Sequence, residues 1–169
     1  VYLEIKTLFD TKRIKDIAEI GGGYGGQALI FDTLHKHLRK YRIFDLPVVI
    51  ELIERYINSY YLNSSFSAND INSLSKGQSF DLVISNYAFS ELPRNLQEIY
   101  MNKVILNSRC GYLTMNTGLV SKPDKVTSSE KKSRRYTSDE LTKIIPGSRL
   151  IKEVPLTSPN NYIIIWGAN

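Results

Sequence analysis

The sequence feature that most constrains the fold is a short apolar run that ends in a cluster of glycines. Residues 16–20 are Asp-Ile-Ala-Glu-Ile, and five of the next six residues are glycine. Such a run predicts a buried parallel strand, and the glycines predict a tight turn on which a ligand lies close to bare backbone. Residues 27–40 are compatible with a helix whose free N–H groups would point at that ligand. The pattern therefore predicts a cradle for a nucleotide-type ligand.

Two ligand classes fit the glycine spacing. Gly21, Gly23 and Gly26 satisfy the G-x-G-x-x-G pattern of dinucleotide-binding folds. Replacing Gly26 by Gly25 gives the G-x-G-x-G pattern of S-adenosylmethionine (SAM) enzymes. Glu19 favours the second class, because a carboxylate at the strand end would repel a pyrophosphate and attract the methionine ammonium of SAM.

Length and composition indicate one ordinary globular domain. The chain has 169 residues, of which 42% are hydrophobic and 23% are charged, so we expect a single domain over residues 1–169. Cys110 is the one cysteine, which excludes an internal disulfide and a cysteine-built metal site and fits a cytoplasmic location. We expect no metal, because the sequence shows no convincing cluster of metal ligands.

The sequence also bears on the chain's surroundings. Its apolar runs are shorter than a membrane span, and its first residues lack the pattern of a signal peptide, so we expect no membrane association. The sequence begins with Val1 rather than Met. We therefore treat the chain as a candidate fragment that lacks an N-terminal extension.

The net charge of +5 is concentrated in one stretch. Residues 118–135 carry six basic and two acidic side chains, a local charge of +4 that leaves +1 for the rest of the chain. Because this stretch is nearly free of apolar residues, we predict a flexible basic loop. A single such stretch is weak support for nucleic-acid binding. The loop is either solvated without a role or a lid over an anionic acceptor.

A second predicted strand, residues 41–45, ends in an acid. Asp45 follows Gly21 by 24 residues, a placement from which a carboxylate accepts hydrogen bonds from ribose hydroxyls. The alternative is that Asp45 caps a helix beginning near Pro47. The strand, turn and helix that precede Asp45 favour the ribose role.

A short third strand is predicted at residues 64–68 and is followed by Asn69 and Asp70. In a doubly wound sheet this strand end also faces the ligand crevice, so either side chain could contact an adenine. A plain turn or a helix cap is the alternative for both residues.

Residues 80–85 form the clearest predicted strand, and polar side chains follow it. Asn86 and Tyr87 come directly after the strand, and Glu91 lies just before Pro93, where a helix is predicted to begin. Together with strands at 111–116, 150–154 and 162–166, these elements alternate as strand and helix four times before a terminal hairpin. This order predicts a doubly wound, Rossmann-like α/β sheet.

The glycine motif Glu19-x-Gly21-x-Gly23-x-Gly25, the acid Asp45 and the segment at Asn86 resemble the class I SAM-dependent methyltransferases. More narrowly, the chain is similar to the sugar O-methyltransferases of bacteria. Four stretches carry this narrower resemblance, residues 17–27, 44–47, 80–92 and 111–116.

The resemblance implies a mostly parallel seven-stranded sheet whose last strand, at 162–166, is antiparallel. It implies a SAM cofactor and methyl transfer to a hydroxyl of a sugar or a sugar-containing small molecule. The methionine part of SAM would be held by Glu19, Gly21, Gly22, Gly23 and Gly25, with the ribose on Asp45. Asn69, Asp70 and Asn86 complete the expected cofactor contacts.

A sugar hydroxyl is a poor nucleophile until a base draws its proton away. Glu91 is the candidate base, and Asn86 and Tyr87 are candidates for orienting the acceptor. The alternative for Glu91 is an ordinary acid in the first turn of a helix. Two other functions stay open on the sequence: an oxidoreductase domain that binds an NAD-type dinucleotide, and a SAM-binding fragment without turnover.

Overall fold

The computed structural model of the protein describes residues 1–75, 77–116 and 134–168. Seven strands in these ranges form one sheet. In chain order they are β1 Asp16–Ile20, β2 Lys40–Phe44, β3 Ser65–Asn69, β4 Phe80–Asn86, β5 Ser108–Met115, β6 Arg149–Lys152 and β7 Tyr162–Trp166.

The strand order is β3-β2-β1-β4-β5-β7-β6. Strands β1 to β5 pair in parallel, whereas β7 pairs antiparallel with both β5 and β6. The predicted fold class is thereby confirmed: a mostly parallel, doubly wound seven-stranded sheet whose last strand is antiparallel.

Helices connect the strands. Within the described ranges they are α1 Tyr2–Leu8, α2 Gly26–Leu34, α3 Pro47–Ile57, α4 Ala88–Glu91, α5 Arg94–Lys103 and α6 Ser138–Ile144. Their ends follow local rules: Pro47 occupies the first turn of α3, and α6 begins with a capping box between Thr137 and Glu140.

Both faces of the sheet are buried. Side chains alternate between the two faces along each strand, so Ile17 packs into one apolar cluster while Ala18 and Ile20 pack into the other. Helices α1, α2 and α3 cover the Ile17 face, and α5 and α6 cover the opposite face. The result is a three-layer arrangement that leaves the carboxyl ends of the parallel strands open at one edge.

The structure differs most from the predicted elements in two places. The helix predicted over 27–40 ends at Leu34 with His35 as its C-cap residue, and β2 begins at Lys40. A short helix, α4, precedes the predicted helix near Pro93 and contains Glu91. The basic loop predicted at 118–135 lies outside the described residues, apart from the exposed Arg134 and Arg135.

Candidate active site

A crevice of about 590 Å³ lies at the carboxyl ends of β1, β2 and β4. The strand order runs outward in both directions from the β1–β4 pair, which makes this point the topological switch where open α/β sheets bind ligands. The crevice walls include the predicted site residues Glu19, Gly21, Gly22, Gly23, Asp45, Asn86, Tyr87 and Glu91.

The glycine turn lines the crevice. Gly21 has a φ of 77°, and a Cβ there would lie 2.1 Å from the Cβ of Ala88, so packing as well as backbone conformation requires glycine. Gly23 has a φ of 59°, and a Cβ there would meet no described atom within 4 Å. The turn therefore packs against the protein at Gly21 and is open toward the crevice at Gly23.

Asp45 ties the end of β2 to this turn. Its Oδ2 accepts a hydrogen bond from the backbone N–H of Gly22 at 2.8 Å, and its Oδ1 accepts one from the N–H of Leu46 at 2.8 Å. Leu46, rather than Asp45, is the N-cap residue of α3. Because each carboxylate oxygen accepts more than one hydrogen bond, Asp45 keeps acceptor capacity for a ligand in the crevice.

Glu19 is buried within the sheet end, with 2% of its surface exposed. Its Oε2 accepts a hydrogen bond from the Tyr41 hydroxyl at 2.9 Å, and its Oε1 accepts one from Gln27 Nε2 at 3.0 Å. Burial raises the pKa of Glu19 to about 8; the bonds from Tyr41 and Gln27 oppose this rise, and the nearby charge of Asp45 adds to it. The site thus holds a carboxyl group that titrates near neutral pH.

Asn86, at the end of β4, is connected to Glu19 through Gln27. Its Nδ2 donates to Gln27 Oε1 at 3.0 Å. Among the described residues, its Oδ1 is the one buried side-chain polar atom that lacks a hydrogen-bond partner. A buried acceptor without a partner costs free energy, so the orientation of the Asn86 amide is not fixed by hydrogen bonds on both sides.

Tyr87 has an unusual backbone. Its φ is 65°, the one positive φ of a non-glycine residue in the described ranges, a conformation that is costly for a bulky side chain and is often found at functional sites. Its hydroxyl donates to the buried Glu153 and lies 2.9 Å from Thr157 Oγ1. Burial would raise the pKa of Glu153, but the hydrogen bonds from Tyr87 and Thr157 outweigh it and hold that pKa at about 2.

Glu91 is the last residue of α4 and is exposed at the crevice. Its Oε1 accepts a hydrogen bond from Asn116 Nδ2 at 2.7 Å. Asn116 is held in turn by the Ser90 hydroxyl, which donates to Asn116 Oδ1 at 2.8 Å. The chain segment that follows β5 therefore orients the candidate base.

Three predicted cofactor residues lie outside the crevice walls. Asp70 caps a single turn of 3₁₀ helix, Ile71–Ser73, and accepts from the N–H of Asn72 at 2.6 Å. Asn69 reaches the site through its backbone, whose carbonyl accepts from the N–H of Asp45 at 3.2 Å. Gly25 is buried as the N-cap residue of α2.

The sequence prediction missed Gln27, Asn116 and Glu153. Gln27 had a sequence signal, since it is a polar residue in the first turn after the glycines. Glu153 had none, because it meets Tyr87 across 66 positions of chain.

Comparisons with known proteins place the fold. No family model matches this chain. An uncharacterized protein of Methanocaldococcus jannaschii is 31% identical over 77 residues, which are 45% of this chain and 20% of that protein. Three methyltransferases of known structure are similar over nearly the whole chain.

An O-methyltransferase family protein from Burkholderia thailandensis superposes with a TM-score of 0.64 at 13% identity, over 97% of this chain and 54% of its own. The mitomycin 7-O-methyltransferase MmcR superposes with a TM-score of 0.59 at 15% identity, over 96% of this chain and 51% of its own. The magnesium protoporphyrin IX methyltransferase of Synechocystis, with bound SAM, superposes with a TM-score of 0.58 at 12% identity, over 91% of this chain and 70% of its own. This chain has the class I methyltransferase fold.

The chain spans about half the length of the first two of these structures, and its 77-residue match covers a fifth of the archaeal protein. At such identities the shared property is the fold, and one fold supports many chemistries. No helix of the described ranges is long and apolar enough to cross a bilayer.

Proposed function

We propose that this chain binds SAM and transfers its methyl group to a hydroxyl oxygen, as the SAM-binding domain of an O-methyltransferase. The observation that carries the proposal is the buried carboxyl group of Glu19, placed beside the glycine turn at the switch point of the sheet. A cationic ammonium is the ligand group that such a carboxyl attracts. The phosphates of a dinucleotide would be repelled by the ionised form of this carboxyl group.

The residues present fit SAM. Glu19 supplies a counter-charge for the methionine ammonium, and Asn86 lines the same crevice. The turn at Gly23 leaves room for the ligand over the backbone, and Asp45 retains acceptor capacity for ribose hydroxyls. SAM supplies the chemistry, an electrophilic methyl group on a sulfonium.

The chain's own residues have three tasks: to bind the two reactants, to hold them in line and to receive the proton. Glu91 is exposed at the crevice, so an acceptor can reach it, and Asn116 fixes its orientation. We assign Glu91 the proton of the acceptor hydroxyl. Asn86 and Tyr87 line the same crevice as Glu91, and they would orient the acceptor.

We propose a sugar, or a small molecule that carries one, as the acceptor. The sequence resemblance to sugar O-methyltransferases supports this choice. The exposed carboxylate of Glu91 and the remaining acceptor capacity of the Tyr87 hydroxyl also suit a substrate with several hydroxyls. The similarity to an O-methyltransferase family protein and to a mitomycin 7-O-methyltransferase supports oxygen as the methylated atom.

A competition experiment tests the proposal. Radiolabelled SAM is dialysed against the protein with and without NADH, and the same mixture is then offered a panel of sugars and nucleotide sugars. We expect SAM to bind, NADH to leave it bound, and label to appear in an acceptor. Displacement of SAM by NADH would contradict the cofactor assignment. Binding without label transfer to any acceptor would contradict the enzymatic assignment and leave a SAM-binding module.

A further inference from the structure

Three side chains form a hydrogen-bonded chain from the acceptor end of the crevice to its buried acid. Asn86 at the end of β4 donates to Gln27 in the first turn of α2, and Gln27 donates to Glu19 on β1, each across 3.0 Å. Three different elements thus meet at Gln27, which is half-buried in the crevice wall.

The chain has a direction. An ionised carboxylate only accepts hydrogen bonds, so both amides must donate toward Glu19. In this arrangement the Nδ2 of Asn86 donates to Gln27, and its Oδ1 has no hydrogen-bond partner among the described residues. The unsatisfied acceptor on Asn86 therefore belongs to the arrangement that an ionised Glu19 requires.

A proton on Glu19 Oε1 would reverse the direction of these hydrogen bonds. The carboxyl would then donate to Gln27, which must turn its carbonyl toward Glu19 and its Nε2 toward Asn86. The amide of Asn86 would turn in response and accept from Gln27. Tyr41 favours the proton on Oε1, because its hydroxyl already donates to Oε2 at 2.9 Å.

Few other charges act on Glu19. From the β2 side it faces Tyr41 and the carboxylate of Asp45. Its partner in register on β4 is the apolar Ile84, and α2 contributes the uncharged Gln27. The group that responds to a proton or to a cationic ligand in this region is therefore Glu19.

We propose that Gln27 is a positioning residue that transmits the charge of Glu19 to the amide orientation of Asn86. With Glu19 ionised, Asn86 keeps a free acceptor oxygen; with Glu19 protonated, that oxygen is taken up by Gln27. This rests on the proposed function in one respect: an ammonium beside Glu19 would fix the ionised state. Cofactor binding would then set the hydrogen-bonding character of Asn86 before the acceptor arrives.

Side-chain NMR of the ligand-free chain tests the coupling. The NH₂ signals of Asn86 and Gln27 are identified by their loss in Asn86→Ala and Gln27→Met, and the carboxyl of Glu19 is followed by its ¹³Cδ shift. Between pH 6 and 9 we expect all three to move with one common midpoint near pH 8. In Gln27→Met, Glu19 should still titrate while the Asn86 signal stays still.

Two controls bracket the result. In Glu19→Gln the Asn86 signal should be independent of pH. The side-chain amide of Asn63, which donates to the Asp32 carboxylate at 3.1 Å, should not move in this range. Although burial works to raise it, hydrogen bonds from Ser64 and Asn63 lower the pKa of Asp32.

An Asn86 signal that is static in the parent while Glu19 titrates would overturn the proposal, since the proton would then lie on Oε2. An Asn86 titration that survives in Gln27→Met would overturn it as well, and the parent titration alone decides the matter if that variant fails to fold. Adding S-adenosylhomocysteine at pH 6.5 should move Asn86 to its high-pH position. Absence of binding in that last step would count against the proposed function and leave the coupling measured in the free chain intact.

Discussion

The hydroxyl of Tyr41 donates a hydrogen bond to the carboxyl group of Glu19 across 2.9 Å, and both residues are buried in adjacent strands of the sheet. Burial raises the pKa of both groups, that of Glu19 to about 8. An acid in this position is poorly solvated as an anion. A ligand cation beside Glu19 would stabilise the ionised form that burial disfavours.

The first prediction concerns stability against pH. Glu19 has its usual pKa of about 4.5 in the unfolded chain and about 8 in the folded one, so the folded state holds the proton more tightly. This stabilisation is fully present below pH 4.5 and is lost as the pH rises through 8. Urea unfolding should therefore show the parent losing a few kcal/mol between these limits, at about 1.4 kcal/mol per pKa unit, and Glu19→Gln losing much less.

Glu54→Gln is the matched control, because Glu54 is an exposed carboxylate on α3. Its stability should follow the parent at every pH. Parallel curves for the parent and Glu19→Gln would show that Glu19 is ionised in the folded state without cost.

The second prediction concerns Asp45. Replacing it by Ala removes an ionised acceptor from the crevice, so the affinity for S-adenosylhomocysteine should fall by about 1.5–3 kcal/mol, the range for hydrogen bonds to charged groups. The lost hydrogen bonds from the N–H groups of Gly22 and Leu46 should also lower the unfolding free energy, by at most about 1.5–3 kcal/mol each. Calorimetry on Asp45→Ala, with Asp139→Ala on α6 as the control, measures the first quantity. A folded Asp45→Ala with parental affinity would leave Asp45 with the turn-bracing role alone.

The third prediction concerns Glu91. Because Glu91 is exposed, Glu91→Gln should leave the stability and the affinity for SAM unchanged. The rate of methyl transfer should fall by about 10²–10⁴-fold, the usual contribution of a general base. The assay is transfer of label from SAM, with Glu98→Gln on α5 as the control. A parental rate in Glu91→Gln would show that Glu91 is not the base.

The fourth prediction concerns the bond between Tyr87 and Glu153. Tyr87→Phe keeps the ring and removes the donor, so the unfolding free energy at neutral pH should fall by about 1.5–3 kcal/mol. The lowered pKa of Glu153 gives stability that is present above pH 4.5 and lost as the pH falls through about 2. The acid-side loss should therefore be smaller in Tyr87→Phe than in the parent.

The exposed Tyr61 provides the control for this variant. Tyr61→Phe should unfold like the parent at both pH values. An identical acid profile for Tyr87→Phe and the parent would mean that Thr157 alone sets the pKa of Glu153.

The parts of the structure that the sequence predicted are those encoded locally. The strand at 16–20, the glycine turn and the acid at 45 lie within 30 residues, and each has a distinct periodicity or turn chemistry. The last strand, Tyr162–Trp166, coincides with its predicted range because it is a short apolar run between turn residues.

The partners of the site residues could not be predicted in the same way. Asn116 reaches Glu91 across 25 positions and Glu153 reaches Tyr87 across 66, and both contacts depend on how β5, β6 and α4 pack. Helix α4 has only four residues, too few to show a helical period. The positive φ of Tyr87 has no sequence signal, because tyrosine is a residue type that rarely adopts it.

The most direct test of the account is a calorimetric titration of the protein with S-adenosylhomocysteine at pH 7, in two buffers of different ionisation enthalpy. Glu19 is mostly protonated at this pH, and an ammonium placed beside it lowers its pKa. We therefore predict binding with the release of nearly one proton in the parent and of almost none in Glu19→Gln. Absence of binding by the parent, or binding whose heat is the same in both buffers, would contradict a cofactor site built on Glu19.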